Sequence, residues 1–247
     1  MQTLRNLVVT FALLALSPVW AAAYEIMFSE GQYWVDSAEG PLIALPLDKG
    51  KAAFDRAMDP GHVILTGLGP AKDQTLTLDE TTQEQFFAVL GRAGRIPDKH
   101  PDYPAFGYVS SLPGDSTVLL LIVEGWPASG QRVYEAELRS DGTGYEFAEH
   151  LQPSPAVNKN IATQSGLRLG LTKDQVKVLL GWPLHEDKNG LWYGASFKHT
   201  FPLAEVLARG CDAKYAQDWA LVYRNIDIRF TKGRASSILL FHRITWE

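Results

Sequence analysis

Residues 166–183, Gly-Leu-Arg-Leu-Gly-Leu-Thr-Lys-Asp-Gln-Val-Lys-Val-Leu-Leu-Gly-Trp-Pro, carry the punctuation of both ends of one short helix. Thr172 stands three residues before Gln175, the spacing of a capping box. In that arrangement the threonine hydroxyl accepts from the backbone N–H of the third helical residue, and the glutamine side chain reaches back to the cap. Leu171 before the cap and Val176 at the fourth helical position make the pair of a hydrophobic staple. Val176, Leu179 and Leu180 repeat at the i, i+3, i+4 spacing of a buried stripe. Gly181 supplies the left-handed position at the end, and Pro183 forbids continuation. A helix of about ten residues does not stand alone in water, so this segment requires a surface to lie on.

The end of the chain supplies that surface. Ile226, Ile228 and Phe230 alternate with Asp227, Arg229 and Thr231, the period of a half-buried strand. Lys232-Gly233 turns the chain, and residues 235–244 return beside it. Residues 191–197 give a third strand, and residues 202–223 form a helical insertion, holding Val206, Leu207, Tyr215 and Trp219 and broken near Gly210. Residues 161–247 therefore read as a small domain of helices packed on one face of an antiparallel sheet.

A helix entered through Gly170-Leu171-Thr172 and left through Leu180-Gly181 and Pro183, followed by Trp192-Tyr193 on a strand and closing strands over residues 226–240, resembles the SmpA/OmlA-type domain. That resemblance implies a small bacterial envelope protein that binds and is not known for catalysis. One member is a lipoprotein accessory of outer-membrane protein assembly, and the fold is similar to the repeat of a secreted beta-lactamase inhibitor. The likeness extends over the last third of the chain. The insertion at residues 198–223 and the whole of residues 24–151 lie outside its pattern, and no cysteine is placed for lipidation.

Upstream, residues 152–160, Gln-Pro-Ser-Pro-Ala-Val-Asn-Lys-Asn, read as a linker, since two prolines without hydrophobic period favour an extended, solvated strip. Residues 24–151 then form a β-rich N-terminal region whose strongest strands are residues 62–66, 118–123 and 132–138, and the class of the whole is α+β. One helix is expected there, capped by Thr81 with Glu84 and carrying Phe86, Phe87, Val89 and Leu90 until Gly91 closes it. Residues 51–58 are a candidate second helix. Residues 94–113, with four prolines, read as a long loop.

The chain opens with Arg5, an apolar run over residues 7–16, then Ser17, Pro18 and Ala21-Ala22-Ala23, the layout of a signal peptide cleaved after Ala23. Removing it takes one of the 23 basic residues and none of the 28 acidic ones, which leaves 22 against 28, a formal charge of −6. Such a balance argues against nucleic acid as a partner. Cys211 is the sole cysteine, so no internal disulfide can form, although an exported chain meets an oxidising compartment. Stability has to come from packing, and a hydrophobic content of 46% suffices for it. The expectation is a mature protein of the bacterial periplasm or medium, soluble and without a membrane anchor.

Candidate chemistry is sparse. Gly67-Leu68-Gly69-Pro70-Ala71-Lys72 lacks the third glycine and the Lys-Ser/Thr ending of a phosphate loop and reads as a turn. His185-Glu186-Asp187 lacks the second histidine of a helical zinc site. Cys211 would need His199 or His242 near it to become a nucleophile. His100, Asp102 and Tyr103 could do acid–base work if a pocket gathered them. No Gly-x-Ser-x-Gly and no Ser-x-x-Lys occurs. Trp182, Trp192 and Tyr193 are the candidate interaction residues, against a competing role in the core. No cofactor, metal or catalytic set is expected.

Two functional expectations follow. The first is a non-enzymatic module that binds another envelope protein through the exposed face of its C-terminal sheet or the groove between its two regions; it calls for an exposed apolar or aromatic patch. The second is a periplasmic hydrolase with its site in the N-terminal region near residues 100–103; it calls for a deep pocket with converging titratable groups.

Overall fold

The computed structural model describes residues 23–29, 32–37, 43–97, 99, 103–124, 131–142, 145–216 and 218–246. Their strands in chain order are β1 (Ala23–Ser29), β2 (Gln32–Ser37), β3 (Ile43–Ala44), β4 (Ile64–Leu68), β5 (Gln74–Thr77), β6 (Ala105–Ser110) and β7 (Val118–Val123). There follow β8 (Val133–Arg139), β9 (Gln152–Ser154), β10 (Ala162–Thr163), β11 (His185–Glu186), β12 (Gly190–His199), β13 (Ala220–Thr231) and β14 (Arg234–Trp246). The helices are α1 (Leu47–Ala57), α2 (Gln83–Leu90), α3 (Lys173–Leu180) and α4 (Leu203–Ala208). Among the described residues no helix is long and apolar enough to cross a membrane. The segment read as a cleaved leader lies outside the described residues up to Ala23, the first residue of β1.

One sheet runs β3-β2-β1-β12-β13-β14-β8-β7-β6-β9, with β11 added beside β12; a second runs β10-β4-β5. The large sheet is mixed, because β1 lies parallel to β12 and β9 parallel to β6. This corrects the expected α+β class. The protein is mostly β, its four described helices are 6 to 11 residues long, and among the described residues no helix layer lies on a separate antiparallel sheet. The physical reason lies in the pairing of β14 with β8, from Ser237 beside Arg139 to Phe241 beside Glu135. Over this stretch both strands alternate buried and half-buried residues in matching register, Ile238 and Leu240 beside Leu138 and Ala136, so the two halves of the chain bury one face in a common core. That core joins Leu119, Leu121 and Leu138 from the first half to Ile226, Ile228, Ile238 and Leu240 from the second.

The strip read as a linker is ordered. Gln152–Ser154 is a strand of the sheet, the Ser154 hydroxyl donates to the Leu90 carbonyl at 2.7 Å, and Ala156, Val157 and Asn158 are buried. Pro153 sits in a sheet-edge strand, where a missing N–H is tolerated. Likewise β6 runs through the stretch read as a long loop. Gly107 makes this possible, because a Cβ there would stand 2.5 Å from Leu151 Cδ2. The cap of α2 is Thr82 with Gln85, one residue later than Thr81 with Glu84; Thr81 instead accepts the Thr77 N–H at 2.9 Å.

Two local readings stand. Thr172 and Gln175 form the reciprocal capping box of α3, with contacts of 2.9 and 3.3 Å, and Gly181 at φ +80° ends it. β13 and β14 fold back through Lys232 and Gly233 at φ +51° and +74°, the two left-handed residues of a type I′ turn. The excursion between β12 and β13 is clamped to the first half of the chain. Asp79 pairs with Arg209, which also donates to Glu205 at 3.1 Å, while Arg132 donates to the carbonyls of Asp79 and Ala208.

Candidate binding cleft on the open face of the sheet

The two faces of the large sheet are covered unequally. β7 reads Val-Leu-Leu-Leu-Ile-Val because it is buried on both sides: Leu119, Leu121 and Val123 enter the main core, while Val118, Leu120 and Ile122 pack under Ile96, Tyr134 and Tyr145. This second cover, which Phe147 and Leu151 complete, reaches across β8 as far as Phe241 on β14. Beyond it the outer sides of β8, β14 and β13 line an open cleft of about 700 Å³.

Strand register sets its charges in rows. Glu137, Leu239 and Asp227 lie side by side on β8, β14 and β13; the next row is Arg139, Ser237 and Arg229. Arg139 Nη1 and the Ser237 hydroxyl both donate to Glu137 Oε1 at 3.0 Å. Arg229 donates to Asp227 at 2.9 Å and to Asp187 at 3.3 Å. Each cation thus stands beside a carboxylate on a rigid strand. Arg139 also lies 5.1 Å from the centre of the Tyr145 ring, and Lys99 approaches the rings of Tyr145 and Phe147 from the rim.

Glu135 occupies the boundary between covered and open halves, beside Phe241. Burial pushes its pKa up to about 7; the nearby Lys99 opposes the rise and Glu137 adds to it. Its carboxyl therefore exchanges a proton near neutrality. Burial raises Asp227 as well, against the pull of Arg229. The Tyr145 hydroxyl, Arg139 Nε and Asp227 Oδ1 are buried at the cleft without a hydrogen-bond partner among the described residues.

The residues singled out in the sequence are scattered. Trp182 is 78% exposed just beyond α3, with Lys177 Nζ 5.1 Å from the centre of its ring. Trp192 is half-buried on β12 beside Asp227, next to the cleft. Tyr193 belongs to the core, and its hydroxyl donates to the Gly181 carbonyl at 3.1 Å, which pins the end of α3. His100 and Asp102 lie outside the described residues; Tyr103 accepts a hydrogen bond from Arg243 at 2.7 Å.

Gly69 donates its N–H to the Ala156 carbonyl, so that turn does not hold it for an anion. Glu186 pairs with Lys177 and Lys173, and among the described residues no group of three His, Cys, Asp or Glu could hold a metal. Burial raises the Cys211 thiol, and its hydrogen bond is to the Arg209 carbonyl. His242 is half-buried and donates from Nδ1 to the Tyr223 carbonyl at 3.0 Å, while His199 sits between the rings of Phe197 and Phe201.

The cleft residues gave little warning in the sequence. Glu135, Glu137 and Arg139 follow the alternation of any half-exposed strand, and so do Asp227 and Arg229; only the register of three strands gathers them. The chain was compared with protein-family models, curated proteins and solved structures, and none matches it.

Proposed function

We propose that this chain is an exported, non-enzymatic binding protein that takes a segment of another envelope protein in the charged cleft. The observation that carries the reading is the cleft's own design: strands from both halves of the chain present alternating rows of paired charges on an open, rigid face. Such an array matches the charges of a partner and sets register more than it supplies raw affinity. The leader-like opening of the chain and the likeness of its last third to a small envelope module point the same way.

The test is capture from an envelope extract by the mature protein and by an Arg139→Glu/Arg229→Glu variant. A partner held by the wild type and by Trp182→Ala, but lost with the double variant and in about 0.5 M salt, supports the reading. A partner that survives charge reversal in the cleft and is lost with Trp182→Ala sinks it.

One observation favours a second reading, a hydrolase. Glu135, with its pKa near 7, stands on the same strand face as Glu137, and a general acid works best when its pKa lies near the operating pH. Turnover of a glycoside or peptide substrate that Glu135→Gln abolishes, with the fold intact, would replace binding by catalysis.

A further inference from the structure

A different surface carries an inference that does not depend on the charged cleft. The large sheet ends at β3, two residues long, and at β9, three residues with Pro153 among them; the small sheet ends on one side at β10, also two residues. These are the short or proline-bearing ends by which proteins keep other strands from adding on. The fourth end is unlike them. β5 is Gln-Thr-Leu-Thr, four residues without charge or proline, and among the described strands it pairs with β4 alone.

Its outward groups can be assigned. Thr77 turns its N–H to the Thr81 hydroxyl and its carbonyl to the N–H groups of Glu80 and Thr81, so both point away from β4. The register irregularity of the pair falls in β4, between Leu65 and Leu68, and leaves β5 regular. Thr75, two residues back and exposed, therefore presents its own N–H and carbonyl to the same outer side.

A groove of about 310 Å³ runs along that side, with α2 as its far wall. Gln74 and Thr75 form one bank, Gln85 and Val89 the other, and Glu80 stands at the end, the one ionisable side chain of the lining among the described residues. The buried Leu76 and Phe86 close the base.

We infer that this groove receives an extended polypeptide segment, which adds to β5 as a fourth strand of the small sheet, carries small apolar side chains toward Val89 and places a cationic residue beside Glu80. Main-chain hydrogen bonds to Thr75 supply the attachment, and the groove's shape and single negative charge supply the selection.

The probe is the blocked peptide acetyl-Lys-Val-Thr-Val-Thr-Val-amide, titrated into the isotope-labelled mature protein, with a version bearing Glu for Lys and a version with Pro at its centre. The expected result is a set of amide shifts confined to β5, the turn at Glu80 and α2, weakened by the Glu version and absent with the Pro version. Thr75→Pro removes the outward N–H while keeping the pairing to β4, a substitution that edge strands tolerate. It should weaken binding at least tenfold with little change in the unfolding midpoint, and Val89→Glu should do the same by filling the groove with charge. Shifts that map elsewhere, unchanged affinity in Thr75→Pro or Val89→Glu, or no response to any of the peptides at millimolar concentration would each overturn the inference.

Discussion

β7 and β13 lie in the same sheet, with β14 and β8 between them, and differ in what covers their second face. β7 is apolar at every position because cores press on both of its sides. β13 alternates buried and more exposed positions strictly from Ala220 to Thr231, since only one side is covered by the core. The difference teaches where a sheet can keep charge. Carboxylates and guanidinium groups stand in rows on the uncovered side, and at the margin, where cover gives way to cleft, Glu135 is desolvated enough to hold its proton near neutrality.

The largest effect that would test this contrast is a pair of truncations. Leu121→Ala and Leu120→Ala, on opposite faces of β7, should each cost about 3 kcal/mol by chemical denaturation, because each empties part of a closed core. Leu239→Ala, on the open side of β14, should cost about 1 kcal/mol, as a half-buried leucine forfeits less transfer free energy. Equal losses at Leu120 and Leu239 would mean that the second cover does not shield β7.

Titration separates the faces next, with opposite signs. Burial on the core side lowers His242 to about 3 and lowers His62 in the same direction. Between pH 6.5 and the folded value the unfolded chain binds the proton and the fold does not, so stability falls as pH drops, by about 2 to 3 kcal/mol at pH 4.5 from His242. Denaturation midpoints of His242→Gln should flatten over that window. On the cleft side, Glu135 is raised from 4.5 to about 7, so the fold binds the extra proton and stability is lost as pH rises through that range. Glu135→Gln should match the wild type near pH 4.5 and exceed it by about 2 kcal/mol at pH 8. A parallel pH response in the two variants would break the distinction between the faces.

The smallest effect concerns the exposed charges themselves. Arg229 is half-exposed, so Arg229→Ala should change stability by less than about 1 kcal/mol. Its consequence belongs in the capture of a partner at low salt. A loss of several kcal/mol would recast the row of charges as a structural element.

The legible parts of the fold were those written in neighbouring residues. Thr172, Gln175 and Gly181 close a helix through contacts a few residues apart, and Lys232-Gly233 reverses a chain within two. Thr82 and Gln85 show the limit of that reading: with threonines at 81 and 82, spacing alone cannot choose between hydroxyls, and the turn at Thr77 decides. What stayed hidden depends on distant strands finding one another. No local pattern says that Ser237 will lie beside Arg139, that Gln152 will extend the sheet beside Tyr108, or that Glu135 will stop at the margin of a cover supplied by Ile96 and Tyr145. The cleft was illegible for the same reason, since its rows exist only once three strands share a register.

The seat of β1 has a consequence for how the molecule comes into being. Ile26, near the start of the described chain, takes Ala195 as its neighbour, so a polypeptide emerging amino end first must carry β1, β2 and β3 unmoored until β12 has followed. Closure over so long a stretch of chain is slow by the statistics of contact order. During that delay an unsatisfied ribbon is open to wrong partners, and anything that holds the newly emerged segment apart until the last third arrives should raise the yield of folded protein.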